Sequence, residues 1–235
     1  MAIPSPIDAD ELKAALAADR ARAVALVPVA ADVLARLDRF VALLLAWQAA
    51  HNLISAASVP ALWTRHIADS LQLLALLPEA ARTLVDLGSG AGFPGLVLAI
   101  ALADRPGASV HLIESHQRKA AFLRAAATET GAPAVIIADR AEAVLGRFAG
   151  AVDAVTARAL APLPTLLELT APLLKTGAVG LFPKGQSVEA ELTEAGKSWT
   201  LQVDLLPSLT DPGGRILRVR QAEMRAPRRS LRTQP

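Results

Sequence analysis

The 235-residue sequence contains no cysteine and no tyrosine. The absence of cysteine excludes disulfides, thiolate zinc sites and any mechanism built on a Cys nucleophile. Aromatic side chains are scarce, with 5 Phe and 3 Trp, so the core must be aliphatic; the chain is 53% apolar, mostly alanine and leucine. No uninterrupted apolar run approaches the roughly 18 residues needed to cross a bilayer. The longest, Phe40 to Trp47 and Leu96 to Ala103, are bounded by polar residues. The first residues, MAIPSPIDADELK, are acidic where a secretory signal is basic. The four histidines, at 51, 66, 111 and 116, show no HExxH spacing, so no metal site is expected. These absences describe a soluble, cytoplasmic chain with no membrane association.

What is present begins with length and charge. The length suits one α/β domain with an appendage. The net charge of +2 hides an asymmetry: from Gly214 onward there are seven arginines (215, 218, 220, 225, 228, 229, 232) against the single acid Glu223. The rest of the chain is net acidic. A basic end on an acidic body suits a polyanion-binding arm, or a solvated tail with no partner.

The chain is organised around Thr83 to Gly95, TLVDLGSGAGFPG. Thr83 to Leu87 reads as a buried strand carrying one acid, Asp86. Gly88, Gly90 and Gly92 then make a turn in which the backbone can adopt φ > 0 and approach a ligand closely. Pro94 suits a helix start, and an apolar helix follows over Leu96 to Ala103. A strand, a glycine turn and a helix N-terminus make a nucleotide-cofactor site. Gly90, Gly92 and Gly95 spell GxGxxG, a weak dinucleotide signal by itself. The fuller pattern is D-x-G-x-G-x-G from Asp86, with a carboxylate suited to a cofactor that has a cationic amino-acid end. It resembles class I S-adenosylmethionine (SAM) methyltransferases.

Ahead of the turn, helical spacing covers residues 8–20 and about 28–50, and a third helix is expected from Ser58 to Leu77, stopped by Pro78. Residues 1–80 therefore read as a helical extension capping the site. After the turn come a second strand (108–113) ending at Glu114, a helix from Ser115 to Thr130 and a third strand (134–138) ending at Asp139. Glu114 is placed to accept hydrogen bonds from ribose hydroxyls, or to cap the helix that follows. Asp139 would meet an adenine edge or cap the next helix. A fourth strand (151–156) runs into Arg158. Later segments read as helix 163–174, strand 178–182, helix 187–195 and strands 200–206 and 215–219, joined by a hairpin over Pro207 to Gly214. Seven strands with the last pair antiparallel make a doubly wound Rossmann-like sheet of the SAM-methyltransferase type over residues 81–221. Residues 222–235 are expected to form a basic tail, disordered until bound.

VDLGSGAGFPGLVLAI (85–100), RHIADSL (65–71), HNLIS (51–55), TARAL (156–160) and PKGQ (183–186) together resemble the RsmG (GidB) family of bacterial 16S ribosomal RNA guanine-N7 methyltransferases. The motifs run in the family's order from about residue 40 to 220. The resemblance implies SAM as cofactor and small-subunit rRNA as partner, in a chain expected to be a monomer. It implies that Gly88 and Phe93 line the SAM site, that Ala141 and Glu142 lie by the adenine, that Glu114 holds the ribose, and that Arg158 lies between cofactor and substrate. RHIADSL and HNLIS resemble segments that close over the pocket. The ending RAPRRSLRTQP departs from the family's lysine-rich ending but keeps its charge.

The acceptor implied by the resemblance is N7 of a guanosine in the decoding-region loop. Guanine N7 has an in-plane lone pair and no proton, so direct in-line transfer needs no general base. The residues agree. There is no cysteine for pyrimidine C5 methylation, and TARAL stands where amino-group methyltransferases carry an Asp/Asn-Pro-Pro-aromatic tetrapeptide. Arg158 is the first candidate to contact guanine O6 or a phosphate; its alternative is an ion pair with Glu142 or Asp139. Lys184 is the second, for the RNA backbone, against a reading as a solvated loop lysine. His66 and Asp69 lie three apart on one helix face and are expected to shape the pocket, in reach of each other. Trp47 and Trp63 are expected as core anchors. Two further readings stand beside this one: an NAD-dependent oxidoreductase using the literal GxGxxG, and a non-catalytic RNA-binding protein on a methyltransferase fold.

Overall fold

A computed structural model of the protein describes residues 8–225. Most of the expected tail, with Arg228, Arg229 and Arg232, lies outside the described residues. Two helices open the chain, α1 (Ala9–Leu26) and α2 (Ala31–His51). α2 buries Val33, Leu37, Phe40, Val41 and Leu44, a stripe at helical spacing. Phe40 in that stripe meets Phe93 at 5.6 Å and Phe122 at 6.2 Å between ring centroids, so α2 packs directly on the glycine turn.

Residues 56–76 do not form the single helix that periodicity suggested. Ala56–Ala61 is a 3-10 segment containing Pro60, Trp63–Ala68 winds as a π-helix, α3 is Asp69–Leu71, and Gln72–Leu76 tightens to 3-10 again. The reason is competition for backbone donors. Pro60 has no N–H to give, and the Thr64 N–H is taken by the buried Asp19 carboxylate of α1 at 3.0 Å. A widened turn of this kind is often found at functional sites.

The rest alternates strand and helix. β1 (Thr83–Leu87), α4 (Gly95–Ala101), β2 (Ser109–Ile113), α5 (Gln117–Thr130), β3 (Ala134–Ile137) and α6 (Ala141–Val144) form one half. β4 (Ala154–Ala157), α7 (Leu163–Leu174), β5 (Val179–Lys184), α8 (Val188–Ser198), β6 (Trp199–Pro207) and β7 (Arg215–Met224) form the other. The sheet order is β3-β2-β1-β4-β5-β7-β6. The first five strands are parallel, and β7 runs antiparallel to both β5 and β6. This is the expected seven-stranded doubly wound sheet, with strand ends displaced by a few residues. β7 continues to Met224, beyond Gln221 where the tail was expected to start, because Ala222 is buried opposite Leu201 of β6.

The side-chain period of a strand divides the core. Leu84 of β1 faces α2, α4 and α5, while Val85 and Leu87 face α6 and α7. Asp86 shares the Leu84 side and lies under α4. The strand order reverses between β1 and β4, and the carboxyl ends at such a switch point are where doubly wound sheets bind ligands. Among the described residues, no helix is long and apolar enough to cross a membrane.

Candidate active site

A cavity of about 1680 Å³ opens over the carboxyl ends of β1, β4 and β5. Its floor is the glycine turn, with Gly88, Ser89, Gly90 and Phe93. The helical segment with Arg65, His66 and Asp69 closes one side, and the β6–β7 turn, Ser208 to Gly214, closes another.

The floor has its shape because of two glycines. Gly88 has φ +63°, and a Cβ there would lie 2.7 Å from Leu160 Cδ1. Gly95 carries no such φ, but a Cβ there would lie 2.5 Å from the Asp86 carboxylate. Only glycine lets α4 approach β1 this closely. Asp86 is buried and does not line the cavity. Its Oδ1 accepts from Thr156 Oγ1 at 2.6 Å, its neighbour across β4, and its Oδ2 accepts from the Gly95 N–H at 3.2 Å. Burial pushes its carboxyl up to about 6, against the opposing effect of those hydrogen bonds. Asp86 thus grips the turn from beneath.

Arg158 follows β4 and is held by three hydrogen bonds and a ring face. Its Nη1 donates to Asp69 Oδ2 and to the Arg65 carbonyl, both at 3.2 Å, and its Nη2 donates to His66 Nδ1 at 2.9 Å. The guanidinium lies 5.2 Å from the Phe93 ring centroid, a cation–π distance. The ion pair is with Asp69, not with Glu142 or Asp139, because the helical segment folds over the β4 end and brings a carboxylate to it. His66 and Asp69 do not bond each other; both turn to Arg158. Burial together with the charges of Arg158 and Arg65 lowers the His66 imidazole to about 3.

Glu114 is buried at the end of β2, where Oε2 accepts from the Gly90 N–H at 2.8 Å and Oε1 from the His116 N–H at 2.7 Å. A carboxylate has about four acceptor positions, so capacity remains on both oxygens. Asp139 is exposed and accepts from the Arg140 N–H, and it does not cap α6. Ala141 and Glu142 begin α6 beside it, half-buried and exposed. None of these four lines the cavity. Lys184 lines it but is not a free loop lysine: it ends β5, and its Nζ is 2.8 Å from Glu191 Oε2 and 3.1 Å from the Ala161 carbonyl. Trp63 is buried, with Arg20 over its ring, and Trp47 packs edge-on against Phe122; neither reaches the cavity.

Sequence reasoning missed the polar clamp around Asp69. Its Oδ1 accepts from Thr210 Oγ1 at 2.9 Å and from Gln72 Nε2 at 2.8 Å, and Gln72 Oε1 accepts from the Leu209 N–H at 2.8 Å. Ser58, the hydrogen-bond partner of His66 Nε2 at 3.1 Å, was missed as well. The proximity of Ser58 to HNLIS was a local hint, but no local signal points to Thr210, whose partner is 141 residues away.

A family model described as rRNA small subunit methyltransferase G matches residues 33–212. The chain belongs to the rRNA small subunit methyltransferase G family. Relatives of that name include one from Bradyrhizobium sp. strain BTAi1, 54% identical over 204 residues, covering 87% of this chain and 91% of the relative. Another, from Rhodopseudomonas palustris strain BisB18, is 57% identical over 209 residues, covering 88% of each. Solved methyltransferases share the fold at low identity. The O-methyltransferase TomG of Streptomyces achromogenes, solved with SAM, has TM-score 0.55 at 15% identity and covers 90% of this chain and 99% of its own. The Bacillus cereus O-methyltransferase, solved with SAH, has TM-score 0.54 at 15% identity and covers 88% and 99%. In this member of the methyltransferase G family, the glycine turn, the β4 end and the RHIADSL stretch surround one cavity.

Proposed function

We propose that this chain is a SAM-dependent enzyme that methylates N7 of a guanine in the decoding-region loop of small-subunit (16S) rRNA, in the cytoplasm, by direct transfer without a general base. The carrying observation is the state of the polar groups at the mouth of β4. The His66 Nδ1 lone pair is taken by Arg158, Asp69 is paired with Arg158, and Glu191 is paired with Lys184. Among the described residues at the β4 end, these three groups are thus already engaged by cations, which suits an acceptor nitrogen that carries no proton; Asp211 also lines the cavity, from the β6–β7 turn.

The residues present fit SAM. The turn is held open by Gly88 and Gly90, and a Cβ at Gly90 would meet nothing nearer than the Gly88 carbonyl at 3.8 Å, so the floor is backbone that a ligand can approach. Gly88, Gly90, Gly92 and Phe93 are assigned to that floor, with Asp86 holding it from below. Glu114, with spare acceptor positions, is assigned to the ribose, and Asp139, Ala141 and Glu142 to the adenine end, although all four lie outside the lining of the cavity. SAM supplies a methyl group already activated on a sulfonium. The chain's contribution is to hold donor and acceptor in line, which is worth up to roughly 7–11 kcal/mol in favourable cases.

Arg158 retains two N–H groups, Nε–H and one on Nη2, with no protein partner among the described residues. They are assigned to guanine O6 or a neighbouring phosphate. Lys184, its charge already matched by Glu191, is assigned to shaping the wall. Arg22, Arg65, Lys119 and Arg215 line the cavity and are assigned to the RNA backbone.

The test is transfer of labelled methyl from SAM onto small subunits that lack the modification, followed by reduction and aniline cleavage, which cuts at N7-methylguanosine. A single cut in the decoding-region loop is expected. Label without a cut overturns the N7 assignment, and RNA binding without label returns the non-catalytic reading.

A further inference from the structure

The direction of each hydrogen bond along Ser55, Ser58, His66 and Arg158 can be worked out from groups that have no choice. Arginine only donates, so His66 Nδ1, 2.9 Å from Arg158 Nη2, must present its lone pair. A neutral imidazole with Nδ1 bare carries its proton on Nε2. That proton is donated to Ser58 Oγ at 3.1 Å. The Ser58 hydroxyl then has its own proton free, and donates it to the Ser55 carbonyl at 2.8 Å. The ring face is fixed as well, stacked on Phe93 with centroids 4.8 Å apart and planes at 22°. Phe93 belongs to the glycine turn, so one buried imidazole touches the helical segment, the turn and the arginine after β4.

The charged groups around the ring act in opposite directions, and those that oppose a second proton have the larger effect. Arg158 and Arg65 oppose a second proton, Asp19 is the one nearby carboxylate favouring it, and Asp69 is taken up by Arg158. A second proton on His66 would also leave two N–H groups facing each other at the Arg158 contact.

We propose that His66 is a positioning residue for methyl transfer: its neutral ring, oriented by Ser58 and Phe93, accepts from Arg158 and so aims the free guanidinium edge into the cavity. It takes no proton from the substrate. This rests on the methyl-transfer reading above and adds to it a residue that acts only through Arg158.

Three variants separate the contacts. His66→Asn places an amide oxygen near the position of Nδ1 and keeps an acceptor for Arg158. His66→Gln places an amide near Nε2, keeps Ser58 and loses that acceptor. His66→Phe keeps only the stack. Single-turnover methyl transfer to unmodified small subunits is measured from pH 5.5 to 9, with SAM affinity and thermal unfolding of each variant alongside. The Asn variant is expected to lose less than about threefold, and Gln and Phe at least tenfold, a factor that corresponds to about 1.4 kcal/mol of barrier. The wild-type profile is expected to show no imidazole ionisation.

Combining His66→Phe with Arg158→Lys should cost no more than Arg158→Lys alone, because the two act as one unit. Additive losses, an Asn variant as slow as Phe, or an ionisation near pH 6.5 that disappears in Asn would overturn the proposal. If Phe does not fold, the Asn-to-Gln contrast decides. Failure of the underlying reading is distinguishable, since the wild-type enzyme itself would then place no methyl on the subunits.

Discussion

Thr210 Oγ1 donates a 2.9 Å hydrogen bond to Asp69 Oδ1, while the other oxygen of that carboxylate receives Arg158 at 3.2 Å. One side chain therefore ties the β6–β7 turn, the helical segment and the end of β4 into a closed ring around the cavity. Thr210→Val removes a single neutral hydrogen bond and should cost about 1 kcal/mol in urea unfolding. Asp69→Ala also strips a half-buried cation of its partner and should cost more, about 2 kcal/mol, with a larger loss of methyl transfer than Thr210→Val. Equal effects on activity would show that the ring matters only for stability.

Gly88→Ala meets two separate obstacles, a left-handed backbone and Leu160 Cδ1 at 2.7 Å from the new Cβ. Weaker SAM binding and a stability loss of about 1–2 kcal/mol are expected. Adding Leu160→Ala relieves the contact but not the backbone strain, so the double variant should recover only part of the loss. Calorimetric SAM titration of the four proteins in that cycle measures this.

Asp86 carries a pH signature. Its carboxyl is raised to about 6 in the fold from an ordinary value of 3.8, so between these limits the folded state holds the proton that the unfolded chain has released. Its contribution to stability is present below about pH 4 and is lost as pH rises through 6. His66, lowered to about 3, acts in the opposite direction, its stabilisation lost as pH falls from 6.5. Thermal unfolding of wild type and Asp86→Asn across pH 4 to 7 isolates the first effect: the wild type should lose ground relative to the variant as pH rises. A constant difference would mean that Asp86 keeps its ordinary carboxyl pKa.

Charge reversal at the cavity mouth should act on RNA rather than on chemistry. Arg215→Glu is expected to raise KM for small subunits severalfold with kcat held within about twofold. It should flatten the log–log salt dependence of RNA binding by about one unit or more. SAM affinity serves as the control, and a fall in kcat alone would place this arginine at the reacting atoms.

The glycine turn from Asp86 to Gly95, the order of strands and helices, and the membership of the family were written in local spacing. A strand followed by alternating glycines admits few backbones, and period-2 and period-3.6 patterns report burial directly. Arg158, His66 and Asp69 were legible as residues of interest because they sit in local motifs. Their pairing was not. It depends on how residues 56–76 wind, and that winding was decided by Asp19 taking the Thr64 N–H from 45 positions away, with Pro60 unable to donate. In the same way, Lys184 looked like a free loop cation until Glu191 of α8 came to it. Asp86 looked like a ligand to the cofactor until Gly95 and Thr156 enclosed it. Local sequence determines which backbone shapes are accessible. Which polar groups are left over for a ligand is decided only when distant elements pack, because each buried donor and acceptor must be satisfied by whatever the fold brings within reach.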